Sequence, residues 1–182
     1  DVPYIKMYIE GVFSYDLDKL SKKLFGTNDK KHPGVFRLFE KGNQFISGKV
    51  ELINRLPSIY KPYEFTPAET RNIFENKGWS RVVGFHTRNI PHRVHEFIQE
   101  KAINENFCDG IFIHPVIGPK KTGDFLPEFI INSYNLLIDD GYLNGKCFLG
   151  GFQSYSRYAG PREAIFTALL KALNIAPQIC FG

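Results

Sequence analysis

Apolar positions along this chain follow two rhythms. From residue 79 onward, short unbroken apolar runs alternate with longer stretches where apolar residues recur every three or four positions. Val82-Val83-Gly84-Phe85, Gly110-Ile111-Phe112-Ile113, Lys146-Cys147-Phe148-Leu149 and Gln178-Ile179-Cys180-Phe181 predict four buried strands. Between them the spacing predicts three helices. The first starts near Pro91 and carries Val94, Phe97, Ile98 and Ala102; the second opens at Leu126-Pro127 and carries Ile130, Ile131, Tyr134, Leu137 and Ile138, ending at Gly141; the third runs from Pro161 to about Leu173. Strands alternating with helices predict a doubly wound parallel α/β sheet. Such sheets take ligands beyond the carboxyl ends of their strands, where His86, His114 and Gly150-Gly151 fall.

Residues 1–62 lack this rhythm. Lys6 to Glu10 and Phe45 to Leu52 predict short strands, and Asp18 to Phe25 predicts a helix ending at Gly26, so this stretch reads as a small β-rich module. Pro57 and Pro62 mark a boundary, which divides the chain into domains 1–62 and 63–182. Just after it, Thr66-Pro67-Ala68-Glu69 has the pattern of a capped helix start, and that helix is expected to stop at Gly78.

Composition narrows the functional classes. A hydrophobic fraction of 43% over 182 residues supplies a real core, and no apolar run reaches the length of a membrane span. The net charge of +4 comes from scattered cations, with short clusters at Lys22-Lys23, Lys30-Lys31 and Lys120-Lys121. A solvated surface meeting a small anion accounts for that charge, and no nucleic-acid partner is implied. Cys108, Cys147 and Cys180 lack metal-ligand spacing and lie in or beside apolar runs, which points to a reducing, cytoplasmic compartment.

The chemistry concentrates between Arg81 and Gln99. The first strand of the alternating region runs into His86-Thr87-Arg88-Asn89, with Asn89 the expected helix cap and Pro91 in the expected first turn. A strand, a short loop and a helix start aim free backbone N–H groups at one point and make an anion site. His92 and His95, three apart, share one helix face, and the planar fork of Arg88 suits an oxyanion. An isolated His-x-x-His is more often an ordinary helix face; beside Arg88, Asn89 and a helix start it reads as a phosphate site. Zinc would need further ligands that are not evidently placed, so no protein-bound metal is expected. His114 reads equally well as structural or as facing a ligand. Gly118, Thr122, Gly123 and Asp124 form a loop expected over the site, and Arg162 at a helix start calls for a partner such as Glu163 or an anion.

Four ordered stretches carry a resemblance to a known family. They are Phe25-Gly26-Thr27-Asn28-Asp29 leading to His32-Pro33-Gly34-Val35; Thr87-Arg88-Asn89, Pro91, His92 and His95; Ile113-His114-Pro115-Val116-Ile117-Gly118; and Arg157-Tyr158-Ala159-Gly160-Pro161-Arg162-Glu163-Ala164. Together they resemble ATP sulfurylase (sulfate adenylyltransferase) over about Asp16 to Gly182. The resemblance implies a HUP-like nucleotidyltransferase domain preceded by part of a PUA-like β-rich domain. It implies adenylyl transfer from ATP to sulfate, giving adenosine 5′-phosphosulfate and pyrophosphate, with Mg2+ accompanying the nucleotide. His92, His95 and Arg88 would be catalytic. Phe85, Thr87, Asn89, His92, His95 and His114 would line the nucleotide, and His86 and Arg88 the acceptor. ATP and a small oxyanion are the implied partners, and a homo-oligomer is compatible with all of this.

Two departures keep other readings open. His86 stands where the family has Gln, which admits a different acceptor. The family's Gly-Arg-Asp-His-Ala loop would follow Phe181, where this chain ends at Gly182; that admits a nucleotide-binding module without turnover, and the chain is expected to be part of a longer protein. If His86 titrates near its ordinary pKa of about 6.5, sulfate is expected to bind more tightly in acid.

Overall fold

The computed structural model describes residues 2–175 and 179–181. They form two compact units, one built from the chain up to Ser58 together with Ser156–Ile165, the other from Ile59–Tyr155 together with the chain from Phe166 on.

In the first unit, β1 (Ile5–Ser14) and β2 (Gln44–Leu52) pair antiparallel from Ile5↔Leu52 to Ser14↔Gln44, with a bulge between Ile9 and Gly11. Between them lie α1 (Leu17–Phe25) and α2 (Pro33–Lys41). The Asp16 carboxylate accepts the N–H groups of Asp18 and Lys19 at the start of α1, and Gly26 closes it in the left-handed conformation at φ 75°. The strand and turn pattern did not anticipate α2. His32-Pro33-Gly34 turns out to be its start, with a His32 ring nitrogen accepting the Gly34 N–H at 3.2 Å. Gly34 leaves no space for a side chain, because a Cβ there would strike the Phe25 ring and the Arg157 carbonyl oxygen.

The second unit opens with α3 (Pro67–Asn76), which has the predicted capping box: Thr66 Oγ1 accepts the Glu69 N–H at 3.2 Å, and Glu69 Oε2 accepts the Thr66 N–H at 2.6 Å. The strands β3 (Val82–Thr87), β4 (Gly110–Pro115), β5 (Cys147–Leu149) and β6 (Ile179–Phe181) are parallel, in the order β5-β4-β3-β6. Gln178, expected to open the last strand, lies outside the described residues. The chain steps from β3 through β4 to β5, then returns to the far side of β3 for β6. That reversal is the switch point where open parallel sheets bind ligands. The connections carry α4 (Arg93–Glu105), α5 (Pro127–Asp139) and α6 (Pro161–Ile175).

Strand alternation sorts the side chains into two layers. Val83 and Phe85 of β3 and Ile111 and Ile113 of β4 pack with Ala102, Ile103, Ile130, Ile131 and Tyr134 of α4 and α5. Val82 and Phe112, of opposite parity, pack with Phe74 of α3 on the other face. His86 and His114 share the parity of this second face.

Of the four apolar positions predicted along α4, Ala102 is buried and the other three are not. Val94, Phe97 and Ile98 are 58%, 62% and 38% exposed, while Gln99, Ala102 and Ile103 are buried. The helix carries two stripes at i, i+3, i+4 spacing, and the one that continues from His95 through Gln99 faces the sheet. The helix also starts later than predicted. His92 is its N-cap and Arg93 its first residue, because Thr87 Oγ1 takes the Asn89 N–H at 3.1 Å and closes a turn that removes Asn89 from the cap. Ile90 precedes a proline, which disfavours the helical conformation there and delays the helix further.

Candidate functional site

The carboxyl ends of β3 and β4 place His86 opposite His114 in register. The chain after β5 then runs alongside β4. Phe152 N–H donates to the Pro115 carbonyl at 2.8 Å, and the Phe152 carbonyl accepts the Ile117 N–H at 2.9 Å. This path needs Gly118, whose Cβ position is occupied by the Ser154 carbonyl. It sets the Phe152 ring 5.9 Å from the His86 ring and 5.1 Å from the His114 ring, centroid to centroid. His114 also stacks on Phe112 at 4.4 Å.

A lysine absent from the sequence expectations completes this face. Lys171 of α6 is 3% exposed, and its Nζ lies 5.9 Å from the ring centres of both Phe112 and Phe152. Burial lowers its pKa to about 7. Its charge reaches both histidines. His86 keeps solvent contact, yet the desolvation by protein packed around it, followed by the nearby Lys171 charge, lowers its pKa to about 4; a hydrogen bond to the His114 backbone works the other way. His114, 6% exposed, is held well below its ordinary value by burial first and then by Lys171 and His86. Both imidazoles are therefore neutral near pH 7.

Across the strand end lies the second group of predicted residues. His92 and His95 stack with centroids 3.8 Å apart and 25° between planes, and His95 meets the Phe85 ring edge-on at 5.5 Å. Partial burial and then the neighbouring His92 lower the His95 pKa, against a hydrogen bond to the Ile90 backbone. The Phe85 and Thr87 side chains are buried on the α4 side, so either would meet a ligand through its backbone. Arg88 and Asn89 are exposed on the intervening loop. Lys120 joins Arg88: its Nζ donates to the Val116 carbonyl at 2.7 Å, burial lowers its pKa, Asp124 raises it and Arg88 lowers it. The structure thus groups His114 with His86, gathers His92 with His95, and adds Lys120, Lys171 and Phe152. Within Ala164–Ala172 Lys171 is the lone basic residue of a run otherwise apolar except for Thr167, which was a signal available in the sequence. Elsewhere, Glu163 accepts the backbone N–H groups of Arg157 and Ala159, at 2.6 and 3.3 Å.

Among the described residues no three His, Cys, Asp or Glu side chains converge as a metal site. The groups that do converge are neutral imidazoles and cations, a donor set suited to oxyanions.

A sequence model of ATP-sulfurylase matches residues 61–173, and one of a PUA-like domain matches residues 2–55. The chain belongs to the ATP-sulfurylase family. It is 40% identical to sulfate adenylyltransferases of Pyrococcus abyssi and Thermococcus onnurineus, over 94% of this chain and 45% of each relative. A sulfate adenylyltransferase of Symbiobacterium thermophilum is 40% identical over 87% of this chain and 40% of its own length. The chain thus spans less than half the length of these relatives. Among solved structures, a hexameric APS kinase from Thiobacillus denitrificans superposes with a TM-score of 0.61 and 25% identity, covering 72% of this chain and 26% of that one.

Proposed function

We propose that the protein containing this chain transfers the adenylyl group of ATP to sulfate, giving adenosine 5′-phosphosulfate and pyrophosphate. The observation that carries the reading is the paired arrangement at one sheet edge: His92 stacked on His95 at the start of α4, and His86 in register with His114. Membership of the ATP-sulfurylase family supports it.

Sulfate is already a dianion at neutral pH, so no general base is required. A sulfate oxygen forms a bond to the α-phosphorus, the bond from that phosphorus to the bridging oxygen breaks, and pyrophosphate leaves. The site must bring two anions into line and stabilise charge on the phosphoryl oxygens. His92 and His95 are assigned to the phosphates, with Phe85, Thr87 and Asn89 beside the nucleotide. Arg88 is assigned to the oxygens between nucleotide and acceptor and His86 to the acceptor; His114, expected beside the nucleotide, is reassigned to the acceptor because it pairs in register with His86. Mg2+ would travel with the phosphates of ATP. The buried thiols of Cys108 and Cys147, neither of them in a disulfide, support a reducing, cytoplasmic setting. Residues 1–62 are assigned to a PUA-like domain and 63–182 to the nucleotidyltransferase domain.

The test is pyrophosphate release from ATP by the full-length protein with and without sulfate; release that ignores sulfate rejects the assignment. His86 favours one second reading, a tetrahedral oxyanion other than sulfate, which would appear as turnover with that acceptor alone.

A further inference from the structure

We propose that Lys171 is the cation that binds the acceptor: from α6, its ammonium takes the charge of a tetrahedral dianion held against His86 and His114. The proposal rests on the adenylyl-transfer reading and names the residue through which that site selects a doubly charged acceptor.

Buried lysines are rare, and they are normally paired, because an isolated ammonium loses its hydration without return. The Lys171 ammonium has no hydrogen-bond partner, and its surroundings are the ring faces of Phe112 and Phe152 at the outer limit of a cation–π contact. From β3 it faces His86, and from β4 His114, whose Nδ1 is likewise buried without a partner. The other charge acting on His86 is Lys120, also positive. Among the described residues no carboxylate offsets Lys171.

The helix gives up stability to hold it there. Ile165 and Leu169 of α6 are each 62% exposed while Lys171 is turned inward. A lysine with a merely structural role would bury its stem and extend its ammonium to water. A dianion between His86 and His114 supplies the missing counter-charge. Lys171 donates to its oxygens and neutralises it, beside two neutral rings whose single N–H groups are held by the backbone carbonyls of His114 and Gly151. Because burial holds the free ammonium near its titration point, binding draws in a proton, so affinity weakens as pH rises above about 7.

The experiment compares full-length wild type, Lys171→Met and Lys171→Arg. It measures KM for sulfate and for ATP, Tm, and direct binding of inorganic sulfate by calorimetry in two buffers of different ionisation enthalpy. Methionine removes a buried charge and keeps the volume, so folding is not threatened. Lys171→Met is expected to raise Tm, weaken sulfate at least about tenfold and leave the ATP KM within about twofold. Lys171→Arg, charged at every pH used, is expected to recover much of the sulfate affinity and to lose the proton uptake seen in wild type. Equal sulfate binding by wild type and Lys171→Met overturns the proposal. If wild type binds sulfate through Lys171 yet shows no sulfate-dependent turnover, the functional reading fails and the assignment of Lys171 stands.

Discussion

His86 and His114 are register partners on adjacent parallel strands, and both rings lean on Phe152, at 5.9 and 5.1 Å. The pairing fixes two neutral imidazoles side by side at the carboxyl edge of the sheet, His86 on the strand that borders the switch point between β3 and β6, with a buried lysine on the same face. Under the proposed function the lysine supplies the charge that a dianion demands, and the neutral rings beside it add no further charge that would attract every anion in solution.

The pKa of about 4 at His86 replaces the expectation of a group titrating near 6.5. His86→Gln should therefore leave the shape of the sulfate pH profile unchanged from about pH 5.5 to 8.5, because the ring is neutral throughout. Sulfate-dependent pyrophosphate release on both proteins checks this; a pH dependence that disappears in the variant would show that the ring titrates in that window.

The same depressed values set the acid stability. Below about pH 6.5 the unfolded chain binds protons at positions 86 and 114 that the folded chain refuses, at position 86 down to about pH 4, so stability is full above about pH 6.5 and falls as pH drops below it. Urea unfolding midpoints should decrease over this range in wild type and vary less in a His86→Gln, His114→Gln double variant. Identical acid sensitivity in both proteins would contradict the lowered pKa values of these rings.

Lys171 sets a second window. Its folded pKa of about 7 lies below the ordinary 10.5, so the folded state is penalised below the unfolded value and relieved as pH rises. Stability should climb between about pH 7 and 10.5, by on the order of a few kcal/mol, and be flat below it for this group. Lys171→Met should remove the slope. Denaturant unfolding at pH 7, 8 and 9 measures it, and equal slopes in the two proteins would count against a buried ammonium.

The stack of His92 on His95 makes a prediction of non-additivity. His92→Ala or His95→Ala should lower turnover more than about tenfold, or about 1.4 kcal/mol in the barrier, and the double variant should cost much less than the product of the two. Steady-state kinetics on the three variants decide it. Normal turnover in both single variants would assign the pair a structural role.

Gly118→Ala tests how Phe152 is placed. The new methyl would meet the Ser154 carbonyl, so the segment after β5 must shift away from β4. A loss of about 1–3 kcal/mol in stability and a rise in sulfate KM are expected. A variant with unchanged unfolding midpoint and KM would show that this segment has room to adjust.

The linear chain by itself determined the elements whose signals are local. Thr66-Pro67-Ala68-Glu69 forms its capping box from neighbouring groups, and the unbroken runs at Val82 and Gly110 are buried on both sides as a parallel sheet requires. Those strands carried His86 and His114 to one edge, as their positions predicted. Tertiary structure decided what depends on which face meets which. α4 offered an apolar stripe at Val94, Phe97 and Ile98 and a mixed one at His95, Gln99, Ala102 and Ile103, and packing against β3 and β4 chose the second. A single hydroxyl, Thr87 Oγ1, took the Asn89 N–H and moved the helix start to His92. Lys171 was one basic residue within an apolar helix until the fold enclosed it beside Phe112 and Phe152; desolvation of His86 and His114 first, and the Lys171 charge second, lower the pKa values of the two rings. Spacing along a chain records period, while desolvation and charge proximity arise between segments distant in sequence, so the acidity of this site belongs to the fold.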